Sequence, residues 1–226
     1  MKKSILAVMA ICTATCGWAG SFDGGTEDQT ITEPVAAYDW SGGYAGLGLG
    51  ISTGSVAWEA IGFGFGNDAD FEGESFSLRA GYDWQRGNFV FGGLIEGGFG
   101  TITSVDDVDT VLNCGSAGGC TTDIENYFSI RARVGRTFDR TLVFATVGSA
   151  SADVTASTPV FGIHGEDSMN GWAASLGVEH AVRDNISVSA EYVHNDLGSL
   201  PIPFACGACQ TDIKFGSLRI GANYRW

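Results

Sequence analysis

Basic residues, prolines and long apolar runs are all scarce in this sequence. Lysine and arginine total 12 against 26 aspartates and glutamates, which excludes the clustered positive charge that nucleic-acid binding requires. Only four prolines occur in 226 residues, and 44% of the residues are hydrophobic, which favours a folded body over a Pro-rich disordered segment. Beyond the first twenty residues, no apolar run approaches the ~18 residues of a transmembrane helix.

Glycine, in contrast, is abundant, and the N-terminus carries a targeting pattern. The 34 glycines are about twice the usual share of ~7%. Two lysines and an apolar run precede Gly17 and Ala19, which are the small residues expected before a cleavage site. We therefore expect a signal peptide at 1–19 and a flexible acidic periplasmic tail at 20–37. A lipoprotein anchored through Cys16 is the alternative.

The remaining residues, 38–226, alternate between apolar and polar or small side chains with a period of two. In one block, for example, Phe76 and Leu78 alternate with Ser77 and Arg79. Eight such blocks occur, at 44–51, 75–84, 89–99, 128–135, 142–152, 172–179, 186–192 and 217–226. The facing of the fifth block stays open. Blocks of this length predict an all-β fold, an eight-stranded antiparallel up-and-down transmembrane β-barrel with both termini periplasmic.

Connections between the blocks alternate in length. Long ones of about twenty residues occupy 54–73, 101–123, 153–170 and 195–212, and short ones occupy 85–88, 139–140 and 183–185. Aromatic residues gather beside the short connections, namely Tyr82, Trp84, Phe89, Phe138, Tyr224 and Trp226. Long loops on one side, short turns on the other and a girdle of aromatic rings are typical of outer-membrane barrels. A soluble sandwich has no reason to keep this alternation.

If the apolar faces of the strands point outward, seven charged side chains point into the barrel. They are Arg79, Glu96, Arg131, Arg133, Glu179, Glu191 and Arg219. Because each lies at a similar distance from the nearest short turn, we expect one charged layer near mid-height of the lumen. Four arginines nearly balance three glutamates, so they can pair in a low-dielectric interior. The period of two alone does not distinguish inside from outside, and this near neutrality favours the membrane barrel over a soluble one.

Two cysteine pairs lie within the long connections, Cys114 with Cys120 and Cys206 with Cys209. In an oxidising periplasm these spacings predict two local disulfides. A zinc site made by all four cysteines would require the two loops to converge. A redox-active Cys206–Cys209 pair would require a helix start that the surrounding sequence does not provide.

Enzyme chemistry is not expected. Glu179 and Glu191 could act as the paired carboxylates of a glycoside hydrolase, but an eight-stranded interior is filled by side chains and admits no polymer. We find no Ser/His/Asp set, and the three histidines have no metal-ligand spacing. Asp106, Asp107 and Asp109 form either a solvated acidic loop or a weak calcium site. The sequence therefore predicts no enzyme, no cofactor and no resident metal.

Charge is distributed unevenly between the two ends of the expected barrel. The long connections contain no lysine or arginine and hold thirteen acids: Glu59, Asp68, Asp70, Glu72, Asp106, Asp107, Asp109, Asp123, Asp153, Glu166, Asp167, Asp196 and Asp212. The short-turn side holds Arg86, Arg136, Arg140, Arg183 and Arg225. We expect the acidic loops to be exposed at the cell surface, where they would repel anions, attract divalent cations and approach lipopolysaccharide only through bridging cations.

Four segments resemble a known family. They are YDWSGGYAG at 38–46, GWAASLGVE at 171–179, AEYVHNDLG at 190–198 and RIGANYRW at 219–226. The chain resembles the small outer-membrane barrels of alphaproteobacteria that are often called immunogenic or porin-family proteins. The resemblance implies a barrel of the OmpA or OmpX type, inserted by the barrel-assembly machinery, which recognises the aromatic C-terminus at Tyr224 and Trp226. His180, His194, the terminal Trp226 and the cysteine pairs depart from the family pattern.

The expected function is structural. We expect a monomer in the cell outer membrane, in contact with lipid and lipopolysaccharide, that supports membrane integrity and surface display through its acidic loops. Two alternatives remain open, a narrow porin-like channel for ions or small solutes and an adhesin or ligand binder that uses the loops. The sequence does not identify a loop partner.

Overall fold

The computed structural model describes residues 38–60, 66–106, 120–158, 163–202 and 209–226. The predicted signal peptide at 1–19, the tail at 20–37 and the side chains of the four cysteines lie outside what is described. Among the described residues, no helix is long and apolar enough to cross a membrane.

Eight strands make up the fold, one for each block of alternating residues. They are β1 (Gly42–Ala60), β2 (Gly66–Arg86), β3 (Phe89–Asp106), β4 (Cys120–Phe138), β5 (Thr141–Thr158), β6 (Ile163–Ala181), β7 (Ile186–Ile202) and β8 (Cys209–Arg225). Each strand pairs antiparallel with the next along the chain, and β1 also pairs with β8. Leu47, for example, lies opposite Leu78 of β2 on one side and Ala222 of β8 on the other.

Closure of the sheet pairs the part of each strand next to the short turns on both sides, which is the condition for a β-structure to lie in hydrocarbon. Farther from the short turns β6 and β7 separate, since they pair with each other only from Trp172 with Asp196 to Ala181 with Ser187. The predicted closed, eight-stranded antiparallel barrel is confirmed.

The strands are longer than the alternating blocks predict. They contain 17 to 21 residues, whereas ~10 suffice to cross a bilayer. The extra residues lie in the segments predicted as long loops: within 54–73, for example, β1 continues to Ala60 and β2 begins at Gly66. The predicted loop boundaries are therefore wrong, because backbone pairing continues past the point where the outward side chains stop being apolar.

Short turns close the opposite end. Two-residue turns join β2 to β3 at Gly87 and Asn88 and join β4 to β5 at Asp139 and Arg140. Gly87 and Asp139 have φ of 59° and 52°, a left-handed conformation that glycine and aspartate tolerate better than other residues. Both turns lie within the segments that the sequence assigns to them, and the third short turn, at 182–185, begins one residue before the predicted segment 183–185.

Outward side chains form an apolar belt around the half of the barrel next to the short turns. At its short-turn edge lie the exposed rings of Trp84, Phe89, Phe138, Tyr224 and Trp226. At its other edge lie the exposed rings of Phe76, Phe99, Phe128, Trp172 and Tyr192, a second girdle that the sequence analysis did not identify. Two such girdles bracket the hydrocarbon layer in outer-membrane barrels.

Beyond the second girdle the strands continue as what we call the extension. Among the side chains described here, the exposed ones on the outer face are polar and include Thr53, Glu74, Asn126, Asp153, Asn170 and Lys214. The described inward side chains of the extension are mostly apolar and form one buried cluster, which is described below. A register shift in β4 between Ile124 and Tyr127 keeps both of these residues inside despite their odd spacing.

The facing of β5, which the sequence left open, is settled by its burial pattern. Leu142 and Phe144 lie inside together with Thr146, and Val143 and Val147 face outward with about half of their surface exposed. Both faces of β5 are therefore apolar next to the turn, because its inward residues help to close that end of the barrel.

Candidate functional site

The interior of the belt is the candidate site, and nine charged side chains are buried there. Seven are those that the sequence predicts, Arg79, Glu96, Arg131, Arg133, Glu179, Glu191 and Arg219, and the other two are Asp83 and Arg225. The sequence pattern also indicates that these two point inward, since Asp83 has the same parity as Arg79 in β2 and Arg225 has the same parity as Arg219 in β8. Arg225 lies at the short-turn end, as the sequence predicts, but its side chain turns inward and is only 5% exposed.

Five of these residues form what we call the middle cluster. Glu96 lies 3.3 Å from Arg79 and 3.2 Å from Arg131, and it also accepts a hydrogen bond from Arg219. Glu191 lies 3.2 Å from Arg79 and 2.8 Å from Arg131. Strand register positions these groups, because Arg79 is directly opposite Glu96 and Arg219 is directly opposite Glu191. Arg79 and Arg131 are therefore each held between Glu96 of β3 and Glu191 of β7, whereas Arg219 pairs with Glu96.

The other four charges form the turn-end cluster. Asp83 lies 3.1 Å from Arg133 and 2.6 Å from Arg225. Glu179 pairs with Arg133 and lies 3.5 Å from Arg225. Asn223 also donates to Glu179, over 3.0 Å. No ion pair within the described ranges joins this cluster to the middle one, so the charges form two clusters and the prediction of a single layer is wrong.

The two clusters differ in net charge. The turn-end cluster has two arginines and two carboxylates, whereas the middle cluster has three arginines and two carboxylates. The ring of Tyr127 lies 5.2 Å from the Arg219 guanidinium and partly stabilises the extra positive charge. A buried ion pair is costly to desolvate, and removing one partner leaves an uncompensated charge, so each cluster depends on all its members.

Trp40 closes the short-turn end of the interior. Its side chain is fully buried and packs with Val90, Leu142 and Phe144. Arg225 donates a hydrogen bond of 2.6 Å to the Trp40 carbonyl oxygen, and its guanidinium lies 4.9 Å from the indole ring. The segment before β1 therefore folds into the barrel mouth as a plug.

Tyr38 anchors the outer face of this plug. Its hydroxyl donates to the Asp184 carbonyl oxygen over 2.9 Å, and the Arg140 guanidinium lies 5.1 Å from its ring. Partial burial raises the pKa of the Tyr38 hydroxyl above its ordinary value, so the group remains a neutral donor at physiological pH. The plug is thereby tied to two different short turns.

An apolar cluster fills the interior of the extension. It consists of Ile124, Tyr127, Ala150, Ala152, Val154, Met169, Ala173, Val193, Leu197, Ile213 and Phe215. The Tyr127 hydroxyl donates to the Asn195 side chain over 2.8 Å, which satisfies the polar end of its ring. Between this cluster and Arg219 lies a cavity of about 20 Å³ lined by Ser52, Ser75 and Ser77, which is enough space for one water molecule.

This arrangement provides little for catalysis or metal binding. Glu179 and Glu191 belong to different clusters, and each is engaged by arginines. No group of three potential metal ligands occurs among the described residues. The suggested calcium site at 106–109 and the predicted disulfides lie outside the described side chains.

Comparison with known proteins identifies the family. Residues 30–225 match the model of the outer membrane protein beta-barrel domain. The chain is 27% identical, over an alignment of 245 positions, to the 31 kDa outer-membrane immunogenic protein of Brucella melitensis biotype 1, and the alignment covers 100% of both chains. It is 30% identical over 167 residues to the 22 kDa outer membrane protein of Rhizobium leguminosarum bv. viciae, covering 72% of this chain and 71% of the relative.

Among solved structures, the outer membrane protein OprG from Pseudomonas aeruginosa shares the fold, with a TM-score of 0.56 and 12% identity over 84% of this chain and 98% of that one. The family match, the relatives and the closed barrel agree with one another. The chain therefore belongs to the outer-membrane β-barrel domain family and is an outer-membrane protein of a Gram-negative bacterium, similar to immunogenic outer-membrane proteins.

Proposed function

We propose that the protein is a non-enzymatic, non-conducting structural barrel that supports outer-membrane integrity and presents its acidic long-loop end at the cell surface. The observation that carries this proposal is the filled interior. From the short turns upward, the lumen contains the Trp40 plug, the turn-end cluster, the middle cluster and the apolar cluster of the extension. The small cavity beside Arg219 holds about one water molecule and is not a conduit.

Packing of this kind argues against the porin-like alternative. A pore needs a continuous aqueous path, and large barrels provide one because their diameter exceeds what side chains fill. In this barrel Arg79 and Arg131 bridge Glu96 and Glu191 across the lumen over 2.8–3.3 Å. An ion would have to break these pairs in a low-dielectric interior, which costs several kcal/mol for each pair broken.

The proposed orientation places the short turns and both termini in the periplasm and the extension outside the cell. Charge supports this orientation, since Glu72, Glu74 and Asp153 are exposed at the long-loop end and Arg86 and Arg136 are exposed at the other. The proposed partners in the membrane are lipid and lipopolysaccharide, the latter bridged to the acidic loops by divalent cations. The proposed partner during insertion is the barrel-assembly machinery. We also propose that Cys114 forms a disulfide with Cys120 and that Cys206 forms one with Cys209.

Two measurements test the structural role. Planar-bilayer recording of the purified protein should show no conductance steps above protein-free membranes, with an open porin as the positive control. A deletion strain should become more sensitive to detergent and recover when the chain is restored. Regular conductance steps would overturn the proposal in favour of a channel, and a strain that loses only surface binding would overturn it in favour of an adhesin.

Surface exposure is tested separately. After reduction of intact cells, a membrane-impermeant maleimide should label Cys114 and Cys120 without permeabilisation of the outer membrane. If labelling requires permeabilisation, the long loops face the periplasm and the orientation is inverted.

A further inference from the structure

One arginine stands on the lipid-facing side of the barrel without a carboxylate partner. Arg136 lies on the outward face of β4, at the short-turn edge of the belt, and its side chain is exposed. Its guanidinium lies 5.5 Å from the ring centroid of Phe138 and 6.0 Å from that of Phe89. Two aromatic rings of the girdle therefore flank this charge at the depth where lipid headgroups meet hydrocarbon.

Strand register places a second arginine in the same row. Arg86 of β2 is opposite Phe89 of β3, and Phe89 is opposite Arg136 of β4. All three side chains are exposed. At the usual strand spacing, the two arginine Cα atoms lie about 10 Å apart with the phenyl ring between them, so two long side chains can converge on one group above that ring.

Neither guanidinium has a protein anion to neutralise it. Across the part of the chain that the structure describes, no carboxylate lies within ion-pair distance of Arg86 or Arg136. Arg140, at the same end, instead lies 3.0 Å from Asp184. Arginine binds phosphate oxygens through a rigid fork of N–H donors, and an anionic lipid surface supplies such oxygens at this depth.

We propose that Arg86 and Arg136, with Phe89 and Phe138, form a binding site for the phosphate of an anionic glycerophospholipid in the periplasmic leaflet. The two guanidinium groups hold the phosphate and the phenyl rings border its acyl chains. Assignment to the periplasmic leaflet rests on the proposed orientation, but the contact itself does not. The acidic exposed side chains of the opposite end, such as Glu72 and Glu74, would repel the same headgroup.

The test uses the full chain in nanodiscs made from phosphatidylcholine with a minority of phosphatidylglycerol, followed by native mass spectrometry of the lipids that remain bound. The native protein should retain phosphatidylglycerol in preference to phosphatidylcholine. Arg136→Gln should lower that preference about fivefold, and adding Arg86→Gln should lower it about fivefold again, which corresponds to ~1 kcal/mol for each arginine at an anionic surface.

Arg183→Gln is the matched control, because Arg183 is exposed at the same end but lies in a turn outside the aromatic girdle. It removes the same charge and should leave the preference unchanged, and Arg136→Lys should restore part of it. Heat-modifiable gel migration verifies that each variant is folded. Equal loss in Arg183→Gln, or no preference in the native protein, would overturn the site.

A third arm identifies the lipid source. Nanodiscs that contain lipid A in place of phosphatidylglycerol should show weaker retention that depends on Arg86 and Arg136 than phosphatidylglycerol does. Stronger retention of lipid A through these two residues would overturn the choice of a glycerophospholipid. None of these outcomes depends on conductance or on detergent sensitivity. A negative result for this lipid site would therefore not contradict the proposed structural function, which is tested by those two measurements.

Discussion

The two halves of β8 meet their surroundings in opposite ways. In the belt half of β8, Ile220 is 61% exposed on the outside and Arg219 is 5% exposed on the inside. In the extension half of the same strand, Ile213 is 1% exposed on the inside and Lys214 faces outward. Along β8 the alternation keeps its period of two, and only the assignment of apolar and polar residues to the two faces is exchanged.

The exchange follows from the medium outside the barrel. Hydrocarbon around the belt favours apolar side chains on the outer face and leaves polar groups to be satisfied in the lumen. Water around the extension restores the ordinary hydrophobic effect, which buries Ile213 and Phe215 and exposes Lys214. One closed sheet thus contains two continuous parts. The belt is a membrane barrel, and the extension has an apolar core like that of a water-soluble barrel.

The largest difference between the halves should come from removing a carboxylate inside the belt. Glu96→Ala leaves Arg79, Arg131 and Arg219 with less compensation and should lower the free energy of unfolding by about 3–5 kcal/mol. Denaturant unfolding from lipid vesicles measures this change. Glu74→Ala removes an exposed carboxylate of the extension and should change the midpoint little. Similar midpoints for the two variants would mean that Glu96 is hydrated.

The apolar interior of the extension should respond to cavity formation as a soluble core does. Ile213→Ala removes a side chain that is 1% exposed and should cost about 2–5 kcal/mol of unfolding free energy. Thr53→Ala, on the outer face of the extension, should cost less than about 0.5 kcal/mol. The same unfolding experiment compares the two, and a small loss for Ile213→Ala would argue that the extension has no packed core.

The boundary between the halves can be located by placing a charge on the outer face. Ile220→Lys puts an ammonium in the middle of the belt and should destabilise the barrel by about 2–4 kcal/mol in vesicles. Thr53→Lys puts the same group on the extension and should have almost no effect, because water surrounds it there. Equal destabilisation by the two substitutions would place Thr53 in hydrocarbon and move the belt edge.

The smallest effect is expected for the ion pair of the extension. Lys214 lies 3.4 Å from Asp196, and 56% of its side chain is exposed. Lys214→Ala should change the unfolding free energy by less than about 1 kcal/mol, since solvent screens such a pair. The contrast with Glu96→Ala, measured in the same vesicles, tests whether burial is what makes the interior charges matter.

Sequence reasoning found the strands of the belt because their outward residues form long apolar rows. It missed the extension because the apolar residues there are few, face inward and are interrupted by irregularities. In β4 the register shift between Ile124 and Tyr127 breaks the period of two, and in β7 a shift between Asp196 and Ser199 accompanies Gly198, whose φ is 75°. A pattern search with a fixed period loses the strand at such points.

The sequence predicted which charged residues lie in the candidate site but not which of them form ion pairs. Parity alone identifies which charges turn inward, and Asp83 and Arg225 could have been included on that basis. It does not give the stagger between distant strands, and that stagger decides that Arg133 of β4 meets Asp83 of β2 and Glu179 of β6. The division into two clusters is therefore a property of the closed barrel.

The sequence by itself determined the number of strands, their antiparallel order, the positions of the short turns and the inward parity of the arginines and glutamates. These features follow from local alternation and turn chemistry. Tertiary structure alone decided the facing of β5, the length of the extension, the plug made by Trp40 and the pairing of charges across the lumen. Each of these depends on which residues closure of the barrel brings together from distant parts of the chain, and on whether lipid or water lies outside.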